Sequence, residues 1–181
     1  QVFEQLSLKE LIPFIDWSPF FRSWDLHGKY PDILEDKIVG EQATVLFEEA
    51  QAMLKEIVVK KSLKPKAIFG LFEANTINDD DISVKRKGKE IAVFRTLRQQ
   101  LKKREGIPNF ALSDFVAPES TKQTDYIGSF CVAIFGAQEL AEAYRSKDDD
   151  YNSIMVQAIA DRFAEAFAEY LHKEVRTKHW G

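Results

Sequence analysis

A chain of 181 residues that is 45% hydrophobic and 30% charged has the composition of a globular protein able to bury one sizeable core. Its net charge of −4 argues against a nucleic-acid partner. No apolar run reaches the roughly 18 to 20 residues that span a bilayer, and the N-terminus lacks the layout of a signal peptide, so no membrane association and a cytoplasmic location are expected. The single cysteine, Cys131, excludes an internal disulfide, and His27, His172 and His179 lack zinc-motif spacing, so no metal site is expected.

In chain order, apolar residues at Val2, Phe3, Leu6, Leu8, Leu11 and Ile12, with Ser7 and Glu10 spaced as a capping box, predict a helix start at Ser7 that Pro13 ends or bends. Phe14 to Pro31 (FIDWSPFFRSWDLHGKYP) then gathers six aromatic rings, Phe14, Trp17, Phe20, Phe21, Trp24 and Tyr30, around Asp16, an acid held between Ile15 and Trp17. Ser18 reads as an N-cap and Pro19 as the first residue of a short helix. Asp16 would then stand just before a helix N-terminus, where backbone donors favour an anion. Two readings of this stretch are open: an aromatic core with an acid bonded to nearby backbone, or the wall and polar anchor of a ligand cleft.

Residues 31–66 read as a helical subregion: Ile33, Leu34, Ile38, Val39, Val45, Leu46, Ala50, Met53, Leu54 and Ile57 recur every three or four positions, Gly40 divides the pattern, and Lys60 to Lys66 is a basic link. Ala67 to Phe72 (AIFGLF) is expected to be a strand buried on both faces. Ile82 to Val84 and Ile91 to Phe94 form a hairpin around Lys87-Gly88-Lys89. Asp79 to Asp81 lacks the alternating acids and distal Glu of a calcium loop and reads as a solvated turn. Lys85 to Glu105 carries nine Lys or Arg against two Glu, either a solvated face or a docking surface for an acidic protein.

Thr96 to Arg104 predicts a short helix, or the end of one strand and a helix; Phe110 to Val116 and Tyr126 to Phe135 predict strands, with Cys131 a buried, inert thiol and Gly128 a bulge or close approach. Ala137 to Ser146 reads as a helix. Asp148 to Asp150 precede the longest one, in which Tyr151, Ile154, Met155, Ala158, Ile159, Phe163, Ala166, Phe167, Tyr170, Leu171 and Val175 trace one stripe. Asp161, Glu165 and Glu169 follow at spacings of four, normally a wet face, but Glu165 falls at the margin of the stripe beside Ile154 and Ala158, where an acid can line a cleft.

The segments FIDWSPFFRSWDLHGKYPDIL, GLFEANTINDDDI, FRTLRQQ, FALSDFVAP, DYIGSFCV and DDDYNSIMVQAIADRFAEAFAEYLHKEVRTKHWG, in this order over nearly the whole chain, resemble the C-terminal activation domain of cobalamin-dependent methionine synthase. The resemblance implies a single activation domain over 1–181 of the α+β class, a C-shaped molecule with a central antiparallel sheet flanked by helices and a long C-terminal helix. It also implies a module of a methyltransferase, not catalytic alone, that binds S-adenosylmethionine while cobalamin is held by another module. There the domain supports reductive remethylation of cob(II)alamin to methylcobalamin, with flavodoxin or an equivalent reductase as electron donor. By the same resemblance, Asp16 in I-D-W and Glu165 in AEAFAEYLH contact S-adenosylmethionine. The family continues past the last W-G into an R-P-x-x-G-Y-P motif that holds the rest of this ligand; the sequence ends at Gly181, so an incomplete site is expected. The alternative function is a non-catalytic interaction domain that docks an acidic partner through Lys85 to Glu105. A self-contained hydrolase or transferase finds no support, because nucleophile elbow, phosphate loop and metal motif are all missing.

Overall fold

Three of the helices begin where a side chain satisfies free backbone N–H groups. In a computed structural model that describes residues 1–4 and 6–180, Ser7 caps α1 (Leu8–Leu11) through a complete capping box with Glu10, as the spacing predicts. Asp36 accepts from Ile38 N at 2.8 Å and Val39 N at 3.0 Å just ahead of α3 (Gly40–Lys60), and these two bonds lower its pKa. Asp149 accepts from Asn152 N at 3.1 Å at the head of α5 (Asp150–Glu174).

Contacts divide the chain into two units, one of Gln1 and Phe69–Phe130, the other of Val2–Ile68 and Cys131–Gly181. The second unit is built on α5. Met155, Val156, Ile159, Ala160, Phe163, Ala166, Phe167 and Leu171 are all buried, against α1, α2 (Ser18–Arg22), α3 and α4 (Ala137–Arg145). Burying one such Phe or Leu removes enough apolar surface from water to contribute on the order of 2 kcal/mol, so this face dominates the core. Six of these eight belong to the stripe the sequence predicts, and it differs at its margins: Tyr151 and Ile154 are exposed, while Val156 and Ala160 lie inside.

The first unit carries most of a five-stranded sheet. β1 (Val2–Phe3) pairs antiparallel with β2 (Lys64–Thr76), placing Val2 opposite Ile68; β2 pairs antiparallel with β3 (Asp81–Arg86), Glu73 opposite Lys85; β3 and β4 (Lys89–Arg95) form the expected hairpin, and β5 (Asp125–Phe135) pairs with β2. The hairpin turn is Lys87-Gly88, both at positive φ. Ala74, Ile82 and Val84 form a small core with Phe72, Ala92, Val116 and Ile127. The antiparallel sheet and the long C-terminal helix are those of the expected α+β class.

Several local expectations are corrected. Ala67 to Phe72 is not buried on both faces; β2 alternates from Lys64 to Phe69, and Ile68 is exposed, because one side of this stretch faces water. Cys131 is exposed, on a part of β5 where Gly128 to Cys131 all face solvent. The first part of 31–66 is a 3-10 turn, Asp32–Glu35, before α3 begins, and β2 starts at Lys64. Thr96 to Arg104 is an irregular extended segment, and Phe110 to Val116 contains the 3-10 turn Leu112–Phe115, for reasons that belong to the side chains described below.

Gly136, which leads into α4 at φ +93°, shows how tightly the second unit closes: a Cβ there would lie 2.5 Å from the Ser62 carbonyl oxygen. Both the φ and the contact oppose any side chain. Gly136→Ala is expected to lower stability in urea by about 2 kcal/mol; a loss under about 0.5 kcal/mol would show that the backbone relaxes freely here.

Candidate functional site

Asp16 follows the 3-10 turn Ile12–Phe14 and precedes α2. The structure makes Trp17 the N-cap of α2 and Ser18 its first residue, not the cap the sequence suggests, because the Asp16 carboxylate does the capping: its Oδ1 accepts from Ser18 N at 2.9 Å. Ser18 Oγ is free to accept instead from Tyr30 N at 3.2 Å. Asp16 is thus an exposed carboxylate with one oxygen fixed by the backbone and the other without a hydrogen-bond partner among the described residues.

The aromatic stretch divides between the two readings of it. Trp17, Phe20 and Phe21 are buried; Phe20 packs edge-on to both of the others, and Phe47 of α3 meets Trp17 edge-on and Phe21 at a tilt, so they are core. Phe14 instead meets Tyr170 of α5 edge to face at 5.6 Å, under the Lys173 ammonium at 5.5 Å. Trp24 packs against Tyr151, also of α5, at 5.0 Å. These contacts fix the Phe14–Trp24 stretch against α5, the helix that carries Glu165.

Glu165 is exposed, on the strip of α5 that also presents Ile154, Asp161 and Glu169 to solvent. With Tyr151 and Ile154 outside the buried stripe, Glu165 stands on the wet face of the helix and not at the margin read from the sequence. The two carboxylates are therefore on adjoining elements of the second unit, both open to solvent. Acceptor oxygens of this kind suit a ligand that brings an ammonium, a sulfonium or hydroxyls.

The first unit holds a separate polar construction. Arg98 donates through Nη1 to Asp114 Oδ2 at 2.7 Å and through Nη2 to Asp114 Oδ1 at 2.8 Å, and also bonds the carbonyls of Asn109 and Asp79. Asp80 completes an ion pair with Nη2 at 2.9 Å. Around this fork, Thr76 Oγ1 donates to the carbonyls of Ser113 and Val116, Asn75 Nδ2 to those of Ala117 and Gln123, and the Asp125 carboxylate accepts from Ala117 N. Gln99 exchanges bonds with the Phe110 backbone. Side chains thus do here what a helix and a strand would otherwise do, and so residues 96–116 form neither. A cavity of 910 Å³ opens beside the fork, lined by Thr76, Asp79, Arg98, Ser113, Asp114 and Glu119 among others.

Single-residue reading missed the fork because nothing in local spacing couples Arg98 to Asp114. The signal was present in another form: FRTLRQQ, FALSDFVAP, GLFEANTINDDDI and DYIGSFCV are the segments these bonds join. The model of the vitamin B12 dependent methionine synthase activation domain matches residues 7–181. The chain belongs to this family. Among solved structures, it is similar to one described as the "MetH Reactivation Domain bound to AdoHcy", at 48% identity and a TM-score of 0.92. All of the chain is covered in that match but only 56% of the other, so the chain spans little more than half of that relative's length. Within this methionine synthase family, then, the chain supplies an activation-domain fold whose carboxylates Asp16 and Glu165 lie in the second unit, and whose Arg98 fork organises the first.

The fork gives a pH signature. The hydrogen bonds from Arg98, then the bond from Ala111 N, hold Asp114 down at about 2, below its ordinary value of 3.8. A carboxyl depressed on folding contributes stability that is present above its unfolded pKa, about 4, and is lost as pH falls through the folded one. Amide protection over 96–116 is expected to be constant down to about pH 4 and to fall toward pH 2. Asp114→Asn should show reduced protection already at neutral pH and little further change on acidification; a profile identical to the parent's would remove the fork from its organising role.

Proposed function

We propose that the chain binds S-adenosylmethionine through the carboxylates of Asp16 and Glu165, as the activation module of a cobalamin-dependent methionine synthase. The observation that carries this is the similarity, at TM-score 0.92 over the full chain, to a reactivation domain whose structure holds AdoHcy, the demethylated product of that ligand. The residues fit the ligand. Asp16 is oriented by its bond from Ser18 N and keeps an oxygen for a donor on the ligand; Glu165 has both oxygens open.

In the enzyme, S-adenosylmethionine supplies the methyl group, and a reductase the electron, that return oxidised cobalamin to methylcobalamin. The chain's own share is to hold the methyl donor in place and to present a surface to the other modules, so the binding energy is used for positioning. A chain limited to these tasks is not catalytic by itself.

The electron donor in this proposal is flavodoxin or an equivalent acidic reductase, met by the basic segment. Lys85 is paired with Glu119, Arg95 with Asp81 and Arg98 with Asp114, whereas Arg86, Lys87, Lys89, Lys102 and Arg104 have no ion-pair partner among the described residues. Unneutralised cations of this kind accelerate encounter with an acidic protein.

Titration calorimetry with S-adenosylmethionine, on the chain extended through the R-P-x-x-G-Y-P region, tests the ligand site. Asp16→Asn and Glu165→Gln are each expected to weaken binding about tenfold, the effect of losing one charge-assisted bond, with little change in Tm. Unchanged affinity together with a large fall in Tm would assign Asp16 to the fold alone. For the reductase, a variant carrying Lys87→Glu, Lys89→Glu and Lys102→Glu should associate more slowly and lose most of its salt dependence; unchanged kinetics would exclude this surface.

A further inference from the structure

The row Ile38, Gln42, Val45 and Glu49 advances by three or four residues and so shares one side of α3 and its leading residue. Across from it stand Trp24 and Tyr151, and together with Glu41 and Leu46 these residues line an open cavity of 440 Å³ in the second unit. Nothing in the ligand site or the basic segment uses it.

Three properties set this cavity apart. Ile38 and Val45 offer apolar side chains to water, 92% and 52% exposed. The indole N–H of Trp24 is buried and has no acceptor among the described residues. Among the same residues Glu49 accepts only from the Tyr151 hydroxyl, whose pKa is pushed up to about 12 by burial and then by that bond, so the phenol stays a neutral donor. Glu41 forms no ion pair among the described residues.

An occupant that matches this surface brings an apolar stem for Ile38 and Val45 and a cation for Glu49. An arginine within a peptide has both: three methylenes, and a planar guanidinium that bonds carboxylates in pairs and lies favourably on aromatic rings. The surroundings agree in charge. Gly40 to Ala50 holds Glu41, Glu48 and Glu49 without a single Lys or Arg, and Asp148 to Asp150 lead into Tyr151. We propose that this cavity is a docking site for an arginine-bearing segment of a basic partner protein, on a surface opposite in charge to the one that would meet an acidic reductase.

The test is a titration of the ¹⁵N-labelled chain with a blocked Gly-Arg-Gly peptide, followed by NMR. The Trp24 indole resonance, assigned through Trp24→Phe, should move saturably together with the amides of Val45 and Glu49, and the shifts should shrink at high salt. Glu49→Gln, which keeps an acceptor for Tyr151, should weaken binding at least several-fold. Val45→Lys, at an exposed position that puts no demand on folding, should abolish it by crowding the cavity and repelling the guanidinium. The proposal is overturned if the Trp24 indole does not respond, if a blocked Gly-norleucine-Gly peptide produces the same shifts, or if both variants bind like the parent.

Discussion

The burial of one face of α5 is the constraint on which the second unit depends. Eight of its side chains from Met155 to Leu171 are removed from water, and α1 to α4 are placed by what they bury against it. A helix of 25 residues is about 37 Å long, so a single element sets the position of everything along that length. Because its inner face is fixed, its outer positions are fixed as well. Glu165 is held on the solvent side of α5 by the burial of the opposite face, and Asp16 is held near the same helix by Phe14 on Tyr170. Packing thus provides the rigidity that a pair of exposed carboxylates would lack alone.

The first unit solves a different problem by different means. Its core is small, and its loops between β4 and β5 have few apolar partners; Leu97, Leu101, Leu112 and Phe115 are largely exposed. Order there comes from bidentate Arg98 and from side chains of Asn75, Thr76, Asp114 and Asp125 that take up the free backbone groups. Such bonds are strong where they are charge-assisted and directional, and they are lost together when the carboxylate is protonated. The two units therefore differ in how acid should affect them.

The elements with clear periodicity were legible from sequence: the capping box at Ser7, the hairpin around Gly88, α4, and the full extent of α5. Its stripe was displaced at the margin, because Tyr151 and Ile154 are apolar enough to belong inside yet lie on the exposed side of α5. The fork was invisible because Arg98 and Asp114 meet only through tertiary structure, and the irregular path of 96–116 overrides the helical propensity of TLRQQLKKR. Cys131 was misplaced because an apolar run does not reveal which side of a strand is covered. Asp16 and Glu165 entered through resemblance; spacing alone made them an acid before a helix and an acid on its margin. The Trp24, Tyr151 and Glu49 group had no sequence signature, since its members come from three elements.

The most direct measurement of the central claim is where S-adenosylhomocysteine acts on the chain extended through R-P-x-x-G-Y-P, read from backbone amide shifts on titration. Saturable changes concentrated at Ile15 to Ser18 and at Phe163 to Glu169 are expected, with the Arg98 region unaffected. Changes confined to the cavity between Thr76 and Glu119, with Asp16 and Glu165 silent, would contradict the assignment and place the ligand beside the fork instead.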